Sequence, residues 1–198
     1  MYQRLVVRIF VLAVAAAFIL TVAGCRDRAG RSPATPPVAL TRRFESGGLS
    51  FAYPASWSEI EIDTLTRLRE RIELRRSEEL LTILVAGDDS CQMEVSQQSS
   101  RMTFADLQQR AKWLSQQIKK RPQATILAKY RVQAVELSKG PKALWSEEVR
   151  KKGDTLIRYQ FVAGGFLYDV CFNYPNTKVS AQGRDLRERI MATLTVVD

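Results

Sequence analysis

Few side chains in this chain of 198 residues could carry catalytic chemistry. Histidine is absent, which excludes serine or cysteine nucleophiles activated by histidine and removes the commonest zinc ligand. The three cysteines, Cys25, Cys91 and Cys171, are too far apart for a CxxC motif or a zinc-ligand spacing. The sequence also lacks GxSxG, HExxH and glycine-rich phosphate-binding motifs. These features predict no enzymatic activity, no cofactor and no metal site.

Acidic residues leave two further kinds of chemistry open. Asp88 and Asp89 could contact calcium, but two acids after a glycine, without further oxygen ligands at a set spacing, are typical of a turn. Carboxylates distant in sequence could also pair into a hydrolase site, which stays open as a third hypothesis. Between Asp63 and Glu79, arginines and glutamates interleave, which predicts a solvated, ion-paired and partly helical segment.

The start of the chain has the pattern of an export signal. Arg4 and Arg8 precede an uncharged apolar run from Ile9 to Ala23. This run of about 15 residues is shorter than the roughly 20 that a membrane-spanning helix needs. We therefore predict that residues 1–24 are a signal peptide that is cleaved. An ordinary secretory signal or an uncleaved anchor is the alternative.

The end of this signal resembles the lipobox of bacterial lipoproteins. Val22, Ala23 and Gly24 supply the small residues that precede the obligatory cysteine, Cys25. The resemblance implies that Cys25 is the lipidation site, which binds membrane lipid through a diacylglycerol on its sulfur and becomes the first mature residue. We therefore expect a lipid-anchored protein of the cell envelope, facing the periplasm or the exterior. Arg26 stands where aspartate retains Gram-negative lipoproteins on the inner membrane, which favours the outer membrane if the organism has two.

Residues 25–43 are predicted to form a flexible basic tether. The segment contains three prolines and few core-forming residues, which is typical of an extended linker. Five arginines and Asp27 give this segment a net charge of +4, and two arginines in the signal peptide account for +2. The domain therefore carries only +3 of the net charge of +9. A basic tether suits an anionic lipid surface. Since the protein is exported, we expect no nucleic-acid partner.

Residues 44–198 are predicted to form a single globular domain. The apolar patterns of residues 49–53, 80–86 and 91–95 predict strands. Thr103 followed by Asp106 predicts the start of a helix, which Pro122 ends. A second helix is predicted from about Lys178 to Leu194.

The stretch between the helices predicts an antiparallel meander. A two-residue turn at Gly164 and Gly165 pairs apolar residues on one face: Phe161 with Tyr168, Tyr159 with Val170, and Ile157 with Phe172. A three-residue turn at 152–154 pairs Val149 with Ile157 and Trp145 with Phe161. The element order predicts an α+β fold, an antiparallel sheet with helices packed across it.

The string from Gly47 to Trp57 resembles the opening of PsbP-like domains, in which an aromatic-rich strand ends in a proline and a tryptophan. The resemblance implies an α/β/α sandwich and a non-catalytic binding or assembly module. The PsbP-like family includes photosystem accessory proteins, bacterial lipoproteins and a Ran-binding relative. Metal roles proposed for some relatives involve histidines, which this chain lacks.

A disulfide between Cys91 and Cys171 is also predicted. With Cys25 lipidated, two cysteines remain in an exported domain, where thiols oxidise. However, Cys171 points away from its neighbours Val170 and Phe172, so the two thiols can meet only if the second face of the sheet is also covered. Two buried free thiols are the alternative.

Two functional hypotheses follow. The first is a membrane-anchored, non-catalytic interaction or assembly module with an envelope protein as its partner. The alternative is a lipoprotein that binds a lipid or small molecule in an apolar groove. An exposed apolar patch would favour the first hypothesis, and an enclosed pocket the second.

Overall fold

The computed structural model describes residues 36–61, 64, 78–88, 90–120, 126–176 and 178–197. The predicted signal peptide, Cys25, most of the tether, most of the charged segment after residue 62, and Asp89 lie outside the described residues. The chain divides into a unit that ends at Pro37 and a compact unit, Val38–Asp198. The fold below is that of the second unit.

Ten strands and two helices make up the described part of this unit. In chain order they are β1 (Leu40–Ser46), β2 (Leu49–Pro54), β3 (Trp57–Glu59), β4 (Glu78–Ala86), β5 (Gln92–Ser99), α1 (Phe104–Lys120), β6 (Leu127–Glu136), β7 (Lys142–Arg150), β8 (Thr155–Ala163), β9 (Phe166–Tyr174), α2 (Ala181–Thr193) and β10 (Thr195–Val196). None of the described helices is both long enough and apolar enough to cross a membrane.

The strands form two antiparallel sheets. The small sheet has the order β1-β2-β10, and the large sheet has the order β3-β4-β5-β9-β8-β7-β6. Pro54 ends β2 in the small sheet, and Trp57 begins β3 at the edge of the large sheet. The proline and the buried Trp57 therefore lie where the chain passes from one sheet to the other.

The core lies on one face of the large sheet. Side chains alternate between the faces of a strand, and the alternate residues Tyr159, Phe161, Val170 and Phe172 share the core with α2 and the small sheet. The helix α1 contacts β6, β7 and β8 and buries Leu107 and Ala111 outside this core cluster. An antiparallel sheet with helices packed against it is the predicted α+β fold, which is confirmed.

The hairpin register at Gly164 and Gly165 is confirmed. Both glycines have positive φ, 55° and 79°, as a two-residue hairpin turn requires. The register follows the prediction in full: Phe161 pairs with Tyr168, Tyr159 with Val170, and Ile157 with Phe172.

The register predicted for the preceding hairpin, formed by β7 and β8, is wrong by two residues. Val149 pairs with Thr155 and Trp145 with Tyr159, because the turn is 151–153 rather than 152–154. Asp154 closes this turn, since its carbonyl accepts a hydrogen bond from the amide of Arg150 at 2.9 Å. Its carboxylate also lies 3.2 Å from Arg150 Nη1. A shift of two keeps each residue on its predicted face.

Both helix starts have side-chain caps. The amide of Thr103 donates to the Asp106 carboxylate at 2.7 Å, and the amide of Asp106 donates to Thr103 Oγ1 at 3.3 Å, which confirms the predicted start of α1. The second helix begins later than predicted, at Ala181, because Ser180 Oγ accepts from the amide of Gly183 and caps it.

The predicted tether ends too late. It was predicted to run to Arg43, whereas β1 begins at Leu40 and pairs with β2 from that residue onward. Arg42 lies over the ring of Tyr53, with its guanidinium carbon 5.3 Å from the ring centroid. Residues 40–43 resemble a linker in sequence because their arginines are polar. Strand pairing with β2 nevertheless makes them part of the folded domain.

Candidate functional site

The predicted disulfide is not formed, and both Cys91 and Cys171 are free and buried. Cys171 is the register partner of Glu94. Its side chain therefore lies on the face opposite the core, whereas Cys91 belongs to the core cluster on the other face. Two thiols on opposite faces of one sheet cannot reach the bonding distance of a disulfide. The arrangement is the alternative one, two buried free thiols.

A charged cluster surrounds Cys171 on the face away from the core. Arg158 Nη1 lies 2.8 Å from Asp169 Oδ2, and Arg158 Nε lies 3.6 Å from Glu148 Oε1. Burial raises the pKa of the Glu94 carboxyl and that of the Glu148 carboxyl above the ordinary value for glutamate. Among the described residues, no group of three or more acids or cysteines is placed to hold a metal ion. The cluster therefore reads as an internal ion-pair network.

A cavity of about 400 Å³ lies on the core side of the large sheet, at one end of it. Its walls come from the start of β3, the end of β4 and the turn after it, the end of β9, and the first half of α2. Trp57, Ala86, Phe172 and Leu186 supply apolar lining. Cys91, Tyr174 and Arg187 supply polar lining that is itself buried.

Arg187 is the central polar residue of the cavity. It is only 5% exposed, and its Nε donates to the hydroxyl of Tyr159 at 3.2 Å. Its Nη2 lies 3.6 Å from Glu188 Oε1, on a side chain that is 69% exposed. Its Nη1 is buried and has no hydrogen-bond acceptor among the described residues.

The other buried ionisable groups near Arg187 stay uncharged. Burial raises the pKa of Cys91 to about 12 and also raises the pKa values of Tyr159 and Tyr174, because a charged form would lose its hydration. At neutral pH the thiol and both hydroxyls are therefore protonated. The Tyr174 hydroxyl donates to the carbonyl of Gly183 at 3.3 Å, which ties the end of β9 to the first turn of α2.

The site residues predicted from the sequence do not come together. Cys91 lines the cavity, Cys171 lies on the other face, and Cys25 lies outside the described residues. Sequence reasoning missed Arg187, a buried arginine in the wall of the cavity. The available signal was its position three residues before Ile190 and seven before Leu194, a spacing that puts it on the apolar side of the predicted helix, where an arginine is unexpected.

Comparison with known proteins gives the fold. No family model matches the chain, and no curated protein matches it. Among solved structures, cyanobacterial PsbP (CyanoP) from Synechocystis sp. PCC 6803 is similar over 81% of this chain and 95% of its own, with 11% identity and a TM-score of 0.52. The chain therefore has the α+β fold of PsbP-like proteins.

Two other solved structures have lower TM-scores. A protein from Bacteroides thetaiotaomicron VPI-5482 matches 81% of this chain, with 15% identity and a TM-score of 0.47, and the match spans half of that protein. A mutant of the protein Mog1 matches 80% of this chain and 97% of its own, with 13% identity and a TM-score of 0.46.

Proposed function

We propose that this protein is a lipid-anchored, non-catalytic binding module of the bacterial cell envelope that holds a small molecule in the cavity beside α2. The observation that carries the proposal is the cavity itself, about 400 Å³, which combines apolar side chains such as Trp57, Phe172 and Leu186 with a buried arginine. Ligand sites are typically concave, mostly apolar and provided with a few placed polar groups. The absence of histidine from the sequence supports a role without catalysis.

Exposed apolar surface gives less support to the protein-binding alternative. In the described part of the chain, the large apolar side chains that are exposed are Trp113, Ile126 and Val197. They lie respectively on α1, just before β6 and just after β10. Single exposed apolar side chains are common on protein surfaces, so three of them give less support than the cavity does.

Binding in the cavity can be tested with an uncharged apolar dye, N-phenyl-1-naphthylamine. Val179 is a half-buried lining residue, and Val179→Trp should obstruct the cavity and reduce the dye's fluorescence enhancement. Val132→Trp is the matched control, because Val132 is a half-buried valine on β6 and does not line the cavity. Equal dye binding by both variants and the wild type would count against the cavity as the site.

The anchor is tested separately. If Cys25 is the acylated residue, Cys25→Ser should leave an unprocessed or soluble protein, because the thioether that carries the lipid cannot form. Fractionation and intact mass measurement of the full chain give the answer. A Cys25→Ser protein that stays in the membrane with the wild-type mature mass would rule out the lipobox interpretation.

An envelope protein partner is the second candidate function, and the exposure of Trp113 is the observation that favours it. Its side chain is 58% exposed on the outer side of α1, and tryptophan is enriched in interface hot spots. Affinity capture from envelope membranes should then recover one partner that Trp113→Ala loses. Lys112→Ala, a change at the neighbouring exposed position, should retain it.

A further inference from the structure

Arg187 is the only charged side chain among the fully buried residues of the described structure. Burial of an ionised group costs free energy unless hydrogen bonds and an opposite charge compensate for the lost water. The contacts of Arg187 therefore indicate what the cavity is built to hold.

Compensation within the protein is incomplete. The hydroxyl of Tyr159 accepts one hydrogen bond at 3.2 Å but carries no charge. Glu188 is 3.6 Å away on an exposed side chain, so water screens its charge. The Nη1 donor has no acceptor among the described residues. A buried donor that is left unsatisfied is costly, and such a group calls for a partner.

The other buried lining residues do not supply a charged partner, although the Tyr174 hydroxyl interacts with the Arg187 side chain. Cys91 and Tyr174 are buried and protonated, so neither contributes a negative charge. The charged residues Asp88 and Lys178 also line the cavity, but both are exposed and they carry opposite charges. The buried lining residues therefore combine the positive charge of Arg187 with uncharged side chains.

We propose that the cavity recognises a carboxylate carried on an apolar tail, with the carboxylate at Arg187. This inference rests on the proposed function and names the class of its ligand. A guanidinium presents paired donors that match the two oxygens of a carboxylate. The Nη1 donor of Arg187 is available to bind one of these oxygens. Trp57, Phe172 and Leu186 provide the apolar wall for the tail.

The test compares three probes on the purified protein by isothermal titration calorimetry near neutral pH. Decanoate has both the tail and the charge, decanol has the tail alone, and butanoate has the charge with a short tail. We expect decanoate to bind more tightly than either of the others, by roughly tenfold or more, since a charge-assisted pair in a buried site is stronger than a neutral contact.

Two variants assign that preference to Arg187. Arg187→Met keeps an unbranched apolar stem but removes the charged guanidinium, and it should abolish the preference for decanoate while decanol still binds. Arg184→Met is the matched control, because Arg184 is exposed on the same helix and does not line the cavity; it should bind all three probes like the wild type. If Arg187→Met does not fold, Arg187→Lys carries the test. Lysine keeps the charge but loses the paired donors, so the preference should fall several-fold.

The outcomes separate the inference from the function on which it rests. Decanol and decanoate binding with equal affinity, or a preference that survives in Arg187→Met or in full in Arg187→Lys, would overturn the inference and leave the cavity as a binding site. Butanoate binding as tightly as decanoate would overturn the requirement for an apolar tail. If none of the three probes binds, both the inference and the cavity as a ligand site fail together.

Discussion

At the scale of single residues, Cys91 and Cys171 show how the two faces of one sheet place identical side chains in different surroundings. Cys91 packs in the core cluster, whereas Cys171 lies beside the charges of Arg158 and Asp169. Burial raises the pKa of both thiols, that of Cys91 to about 12. Since the thiolate is the reactive form, both should be chemically inert in the folded protein.

We therefore predict that iodoacetamide at about pH 8 leaves both thiols unlabelled in the folded protein and labels both after unfolding. Mass spectrometry of the peptides that contain Cys91 and Cys171 measures the labelling. Labelling of the folded protein at the rate of the unfolded chain, or a linked peptide pair under non-reducing conditions, would contradict the free, buried thiols.

Glu94 predicts a dependence of stability on pH. Burial raises its pKa, more than the nearby charge of Arg158 lowers it. A raised pKa means that the folded state favours the protonated carboxyl, so this contribution to stability is complete below the unfolded value of about 4.3. It is lost as the pH rises through the folded value. At neutral pH the half-buried carboxylate of Glu94 therefore costs stability.

Glu94→Gln should raise the free energy of unfolding at pH 7, by at most about 1 kcal/mol given its partial exposure, and should give no gain near pH 3.5. Urea unfolding at the two pH values measures the difference. Glu136→Gln is the control, since the side chain of Glu136 is 82% exposed. A gain at acid pH as large as the gain at neutral pH would show that packing rather than ionisation is responsible.

At the scale of the elements, short connections set the register of the large sheet. The turn between β8 and β9 holds Gly164 at φ 55° and Gly165 at φ 79°. In that backbone region a β-carbon lies too close to the following carbonyl oxygen. A side chain at Gly164 would have nothing else within 4 Å, so the backbone alone determines the cost of substitution there.

Gly164→Ala should lower the free energy of unfolding by roughly 1–2 kcal/mol, because alanine resists this conformation. Gly164→Asn should cost less, since asparagine tolerates positive φ more readily. Chemical denaturation of the two variants beside the wild type makes the comparison. Equal stability of the alanine variant and the wild type would mean that the turn is not held in this conformation in solution.

At the scale of the whole compact unit, the small sheet closes one side of the core. The stacked rings of Phe44 and Phe51, 4.9 Å apart, belong to the core cluster and link β1 to β2. The first half of β1 adds pairing from Leu40 to Arg43 and the contact between Arg42 and Tyr53. This half of the strand was predicted to belong to the tether.

A chain that starts at Val38 should therefore be more stable than one that starts at Phe44, by roughly 2 kcal/mol, because the shorter chain loses strand pairing and the packing of Leu40. Thermal unfolding of the two truncated proteins measures the difference. Arg43→Ala in the longer protein is the control, since its side chain is 65% exposed and should matter little. Equal unfolding temperatures for the two truncations would instead support a domain that begins at residue 44, as the sequence predicts.

Local patterns were sufficient for much of the fold. Alternation of apolar residues, the cap at Thr103 and the glycine pair at 164–165 act over a few residues, and each was predicted correctly. The turn at 151–153 was misplaced because the choice of register depends on a pairing between Arg150 and Asp154 that the turn residues do not reveal. The α+β class followed from the order of the elements.

The sequence by itself determined the two helices, the strands between them and the order of these elements, while export and lipidation stay predictions. Only the tertiary structure decided that β5 pairs with β9, which puts Cys91 and Cys171 on opposite faces of one sheet. It also decided that Arg187 is buried at a cavity whose walls come from distant parts of the chain. The physical reason is that burial and proximity depend on contacts between distant segments, whereas residue patterns report only what neighbours along the chain favour.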